Sequence, residues 1–315
     1  MALTSKRSLF NIVMVVATLG AMVLVYRGLS RYSWDEIWQS LSAISAGHML
    51  GALGFMALSY VALTFFDYLG LRYAGHPLTY WKAAIASFSG LAIGHNVGVA
   101  ALSSGAVRYR FYSRFGLSNE EIAKVILFCG VTVGVGLISL AGISLLFLPD
   151  LAGRVAGLGN DGARIAGIVC LLIIAAYLAA AAFVRGTVTI RKWTFDMPGL
   201  PLALGQVAVG TANFVFVAAC LHQLVGGEAG FGAVTAAYVV GNLAAVVSHV
   251  PGGIGVLEAT ISYVMGGAAS IGALIAFRVI YFFLPLPFGL LCLFGGEIAN
   301  RVRGAAGGEM ERPAS

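Results

Sequence analysis

The chain has 315 residues, of which 59% are hydrophobic and 10% charged, with a mean hydropathy of +0.92 and a net charge of +6. Soluble domains carry roughly 25% charged residues, so this composition excludes a soluble enzyme or binding module and indicates one polytopic membrane bundle. The positive balance fits cytoplasmic loops, and no basic patch on a soluble face argues for nucleic acid.

The first apolar run, 9–26, follows Lys6 and Arg7 and ends before Arg27 and Arg31. It is longer than a signal-peptide core and lacks a small-residue cleavage site. It therefore reads as an uncleaved helix with its N-terminus in the cytoplasm. Residues 33–45 place Trp34, Ile37, Trp38, Leu41 and Ile44 at helical spacing. That pattern suits a helix lying in the membrane interface, or equally a loop helix packed on the bundle. A span needs about 20 mostly apolar residues. Further candidates lie at 48–66, 82–103, 122–148, 163–184, 200–225, 232–249, 254–271 and 274–296. The fold class is thus all-α: a polytopic transmembrane helix bundle of about seven to nine membrane segments, one or two re-entrant or broken. Residues 1–300 form a single integral membrane domain, and 301–315 a short polar cytoplasmic tail.

Basic residues cluster at Lys6–Arg7, Arg108–Lys124, Arg185–Lys192 and Arg301–Arg312. The positive-inside rule puts all four clusters in the cytoplasm. The segment 82–103 must then begin and end on that side, so it dips in and returns. Its centre, Gly90-Leu-Ala-Ile-Gly-His-Asn-Val-Gly98, carries three glycines and the polar pair His95-Asn96. The same count has 232–249 crossing inward and leaves the depth of 254–271 open. A second interrupted stretch, His249-Val-Pro-Gly-Gly-Ile-Gly-Val-Leu-Glu258, breaks the apolar pattern there. Non-helical backbone at membrane depth must be buried in protein or line a wet cavity. Paired interrupted segments are a mark of transporters built from structural repeats, with the site between them.

Few ionisable groups lie in or against the apolar runs. An unpaired charge at the bilayer centre costs roughly 3 kcal/mol on insertion scales. Glu258 and Arg278 therefore either pair with each other or line a hydrophilic cavity. Asp67 reads either as an interfacial carboxylate or as a site group. Arg108 and Arg110 read as positive-inside anchors or, beside Gly105, as phosphate contacts. His95, Asn96 and Tyr281 join the candidate substrate-binding set. No spacing argues for a metal, a nucleotide or a nucleophilic serine. No catalytic residue, metal or cofactor is therefore expected. Cys129, Cys170, Cys220 and Cys292 show no metal spacing and are expected simply to pack.

Three stretches stand out together: Ser103-Ser-Gly-Ala-Val-Arg-Tyr-Arg110, the His249–Glu258 stretch, and Phe277-Arg-Val-Ile-Tyr-Phe-Phe-Leu-Pro285. In this order they resemble the transmembrane region of lysylphosphatidylglycerol synthases, the multiple peptide resistance factor family. The resemblance covers roughly residues 10–300. It implies a multi-pass module of the bacterial inner membrane that moves anionic or aminoacylated phosphatidylglycerol between leaflets. It carries site roles onto Asp67, Arg108, Pro251, Glu258 and Arg278. Full-length family members continue into a soluble synthase domain that this chain does not show, so no aminoacyl transfer and no enzyme activity is expected of it. The expected partners are a membrane phospholipid and a separately encoded synthase or envelope enzyme, with homo-oligomerisation left open. Two rivals stand beside the translocase: a non-transporting scaffold for such an enzyme, and an intramembrane enzyme using His95 or His249 with Glu258.

Overall fold

The computed structural model describes residues 33–96, 100–150, 159–184, 186–190, 193–226, 229–248, 253–265 and 270–295. The predicted first span 9–26, the tail 301–315, and the site positions His249 and Pro251 lie outside the described residues. What is described is an all-α polytopic bundle with one small β-hairpin. Its helices are α1 (Trp34–Ser42), α2 (Ala46–Tyr73), α3 (Tyr80–Gly94), α4 (Ala100–Arg114), α5 (Asn119–Phe147) and α6 (Asn160–Phe183). Strands β1 (Thr187–Ile190) and β2 (Trp193–Asp196) follow, paired antiparallel. Then come α7 (Leu200–Val225), α8 (Phe231–Ser248) and α9 (Val256–Val264). The last helix, α10 (Ile271–Gly295), contains a π-helical turn at Arg278–Phe283. The long elements α2, α5, α6, α7, α8 and α10 are apolar and long enough to cross a membrane.

Local sequence sets the helix ends. Ser45 accepts from the His48 N–H at the start of α2, and Ser118 with Glu121 forms a reciprocal capping box on α5. Ser270 caps α10 by accepting from Ala273 N–H at 3.1 Å. Gly226 ends α7 in the left-handed region, φ 79°.

The core of the bundle is the antiparallel pair α2–α7. Gly51 packs against Gln223, Ser59 bonds Asn213, and Gly205 packs against Leu69, so numbers rise on one helix as they fall on the other. Helix α5 runs parallel to α7. Glycine permits that crossing: a Cβ on Gly210 would sit 2.6 Å from the Thr132 carbonyl oxygen, and one on Gly136 would collide with Gly210. Beside it, Gln206 donates to Phe128 O at 3.1 Å and Thr132 Oγ1 at 3.0 Å, and accepts from the Tyr177 hydroxyl. This ties α5, α6 and α7 together in a medium where polar side chains find few other partners.

Helices α3 and α4 have 15 residues each. At 1.5 Å per residue each is ~22 Å long, short of the ~30 Å hydrocarbon core. They form a hairpin: Gly90 faces the Ser104 carbonyl and the Arg108 stem. The sequence puts the re-entrant piece at 82–103; the hairpin runs from 80 to 114. Arg108 and Arg110 therefore lie in its returning arm, not in the loop after it. The apolar Val107, Phe111 and Tyr112 that bury this arm explain the longer reach.

A second hairpin follows. The expected 232–249 span is α8, apolar and long enough to cross a membrane, and α9, from the segment whose depth the charge count leaves open, folds back along it. Gly241 packs against Leu257 and Ile261, and Gly253 against Ala245. Gly253 (φ 60°) and Gly255 (φ 85°) make the reversal in backbone that only glycine adopts without strain. Five residues lead from α7 into α8, and six from α2 into α3. Because α2 and α7 are antiparallel, the two hairpins enter from opposite faces of the bundle. Helix α1 packs on the start of α10, with Trp34 and Trp38 76% and 66% exposed.

Candidate functional site

The π-turn of α10 is where the two hairpins meet. Pro285 has no N–H to give the Tyr281 carbonyl four residues earlier, and its ring crowds that carbonyl. The helix widens just before it, with Leu284 N–H reaching back five residues to Val279 O at 2.8 Å. Side chains supply the donors needed here. The Tyr60 hydroxyl donates to Tyr281 O at 3.3 Å, and Asn96 Nδ2 donates to Phe282 O at 2.8 Å and to Ala92 O at 2.9 Å. Asn96 sits at the tip of the first hairpin, so the tip is pinned to the last helix near mid-length.

His95 precedes it. Its ring stacks on Tyr281 with centroids 6.1 Å apart and meets Tyr60 and Phe282 edge-on. Among the described residues, His95 Nδ1 is buried with no protein partner, as are the Ser89 and Thr211 hydroxyls. Ser59 gives its proton to Asn213 Oδ1 at 2.7 Å, so the Tyr281 hydroxyl, 2.8 Å away, donates to Ser59. A polar thread thus runs from α7 through α2 to the π-turn in the middle of the bundle.

The second hairpin reaches the same turn from the other side. Glu258 closes the first turn of α9: its Oε2 accepts from Gly255 N–H at 2.9 Å. Its Oε1 takes Arg278 Nε at 2.6 Å and Nη2 at 2.5 Å. Arg278 also donates to the Gly253 carbonyl at 3.3 Å and lies over the Phe282 ring at 4.5 Å. The side chains of Glu258 and Arg278 are 17% and 8% exposed.

A second ion pair holds the first hairpin to α2. Arg108 Nε and Nη2 donate to the two oxygens of Asp67, each at 2.7 Å, and the Tyr112 hydroxyl adds a third bond to Oδ1 at 2.7 Å. This pair is sealed, with Asp67 0% and Arg108 4% exposed. Asp67 is no interfacial carboxylate; it lies six residues inside α2. A desolvated pair of this kind adds little net stability over an apolar replacement, but it fixes register, and breaking it costs roughly 3–5 kcal/mol.

The structure therefore gathers His95, Asn96, Tyr281, Glu258 and Arg278 around one turn, and sets Asp67 with Arg108 apart inside the first hairpin. Arg110, two residues beyond Arg108, is half-buried on the other side of α4. Tyr112, Ser59, Asn213, Tyr60 and Phe282 belong to these networks too, although sequence reasoning does not single them out. Pro285 is the signal for the Tyr60 contact, because a missing N–H at one position implies a needy carbonyl four residues before. A recess of about 430 Å³ lies elsewhere, between the ends of α6 and β2 and the start of α7. Among the described residues Asp196 is its one ionisable lining residue, and none of the described candidates lines it.

The sequence profile of the family described as "Lysylphosphatidylglycerol synthase TM region" matches residues 11–289. The chain belongs to this family. It is also similar to "Inner membrane protein YbhN" of Escherichia coli (strain K12), at 31% identity over 285 residues, covering 87% of this chain and 88% of the relative. "Uncharacterized protein slr0712" of Synechocystis sp. (strain ATCC 27184 / PCC 6803 / Kazusa) is 30% identical over 283 residues, covering 87% of each chain. Family and helices together identify a multi-pass membrane protein.

Proposed function

We propose that this member of the family is a phospholipid translocase, with the headgroup crossing where the two hairpin tips meet the π-turn. The observation that carries this is the opposed pair of hairpins. One reaches mid-bundle from each face, and both end on the same few residues of α10. Irregular backbone at that depth is stable only inside protein or beside a polar path. Opposed, interrupted segments about a central site are the architecture of alternating access. Withdrawal of either tip would open the π-turn to its own face, while the acyl chains stay in the surrounding lipid. The sealed Asp67–Arg108 pair then positions the first hairpin, and the more accessible Glu258–Arg278 pair meets the headgroup.

Arg72, Lys82, Arg110, Arg114 and Lys124 belong to the face that the first hairpin enters, which the positive-inside rule makes cytoplasmic. Helix α10 ends on that face, and an N-terminal crossing at 9–26 would start there. The name of the E. coli relative supports an inner-membrane location. Anionic or aminoacylated phosphatidylglycerol is the lipid class that the family description suggests. No covalent step is assigned to this chain; attachment of an amino acid to the lipid would belong to a separate synthase.

The test is leaflet exchange of acyl-chain-labelled phospholipid in vesicles holding the purified chain, followed by dithionite quenching of the outer leaflet. Exchange above protein-free vesicles is expected, with exchange of the preferred lipid lost in Glu258→Gln. No exchange with any phospholipid would refute transport and favour the scaffold.

A further inference from the structure

We infer that the headgroup handled by this chain is a zwitterion, carrying one phosphate and one primary ammonium, bound by exchange of partners at Glu258 and Arg278. The inference rests on the translocase reading and departs from the anionic lipid class that the family description suggests.

Two of the ion pairs among the described residues are buried, and they differ in reach. Asp67 and Arg108 are closed off, and the Asp67 carboxylate already accepts three hydrogen bonds. A ligand would have to unpack the first hairpin to touch them. Glu258 and Arg278 are less sealed, with side chains 17% and 8% exposed.

The accessible pair is also built to part. Each member has an anchor that does not depend on the other. Glu258 Oε2 is held by the Gly255 N–H. Arg278 is held by the Gly253 carbonyl and by the Phe282 ring. If the pair opens, neither side chain loses its orientation. The separated groups are a planar guanidinium, suited to two oxygens of a phosphate, and beside it a carboxylate oxygen able to accept from a cation.

Charge balance then selects the ligand. The pair sums to zero, and charge left uncompensated inside the membrane is costly. A headgroup with only a phosphate would take Arg278 and leave the Glu258 carboxylate without its cation. A headgroup with a phosphate and two ammonium groups would bring a surplus positive charge. One phosphate and one ammonium exchange one for one: phosphate with Arg278, ammonium with Glu258. The ammonium must donate hydrogen bonds, so a primary amine on a short spacer suits the site better than a quaternary one. Ethanolamine and single-amine aminoacyl headgroups meet these conditions.

The experiment uses the full chain in vesicles of equal parts phosphatidylethanolamine and phosphatidylglycerol. Three acyl-chain-labelled probes are compared: phosphatidylethanolamine, phosphatidylglycerol and lysylphosphatidylglycerol. Phosphatidylethanolamine is expected to exchange at least about tenfold faster than either of the others, as an uncompensated charge demands. In Glu258→Gln the order should shift toward phosphatidylglycerol, and in Arg278→Gln toward lysylphosphatidylglycerol. Phosphatidylglycerol or lysylphosphatidylglycerol moving as fast as phosphatidylethanolamine would overturn the inference while leaving the translocase intact. Equal slowing of all three probes by a folded Glu258→Gln variant would overturn it as well. If the variants do not fold, the wild-type ratios alone decide. Exchange of none of the three would remove the translocase reading itself.

Discussion

Arg108→Ala should act as a folding mutation rather than as a transport mutation. The guanidinium supplies two of the three hydrogen bonds to Asp67, both at 2.7 Å, and leaves only the Tyr112 hydroxyl behind. Asp67 is fully buried, so water cannot replace the lost donors. Removing one partner of such a pair costs roughly 3–5 kcal/mol. At the ~2–4 °C per kcal/mol of a large domain, the melting temperature in detergent should fall on the order of 10 °C. The double variant Asp67→Asn, Arg108→Met removes both charges and keeps an acceptor for Tyr112. It should recover most of the loss, because a neutral replacement of a buried pair is often close to isoenergetic. The assay is thermal unfolding of purified single and double variants by fluorescence-detected size exclusion. A single variant melting within about 2 °C of wild type would refute the reasoning, as would a double variant no better than the single.

Glu258→Gln should lower stability less than Arg108→Ala, because its site is more accessible, yet abolish leaflet exchange of the wild-type substrate; the same two assays read both effects. Gly136→Val drives a branched side chain into Gly210 on α7, and overpacking of this kind costs about 1–3 kcal/mol or more, visible as a lower melting temperature. Asn96→Leu deprives the Phe282 carbonyl of its 2.8 Å side-chain donor, which should cost roughly 1–3 kcal/mol and speed hydrogen exchange around the π-turn. Tyr60→Phe should show a smaller loss, since its bond to Tyr281 O is 3.3 Å long.

The long helices were legible in the chain because an unbroken apolar run of sufficient length has few other uses. The first hairpin was legible through charge: Arg108–Lys124 must return to the side where the segment began, and His95 and Asn96 mark the tip. The second hairpin was only half legible. Gly253 and Gly255 announce a reversal, but α8 is apolar enough to pass for an independent crossing, and nothing local shows that α9 lies along it. The pairing of Glu258 with Arg278 was one of two readings, decided by geometry. The Asp67–Arg108 pair was hidden, since the partners are 41 residues apart and each has an ordinary interfacial explanation. The π-turn was written in Pro285 but needs a carbonyl-by-carbonyl account to be seen. The β1–β2 hairpin carries no strong alternating pattern, and it was not foreseen.

Translocation and headgroup choice both depend on two hairpins entering from opposite faces. Site-directed labelling tests this most directly. In the full chain with Cys129, Cys170, Cys220 and Cys292 changed to alanine, one cysteine is introduced by His76→Cys, before the first hairpin, or by Ala229→Cys, before the second. A membrane-impermeant maleimide added to intact cells should label position 229 at once and position 76 only after permeabilisation. Reaction of both positions from the same side would contradict the opposed arrangement and everything built on it.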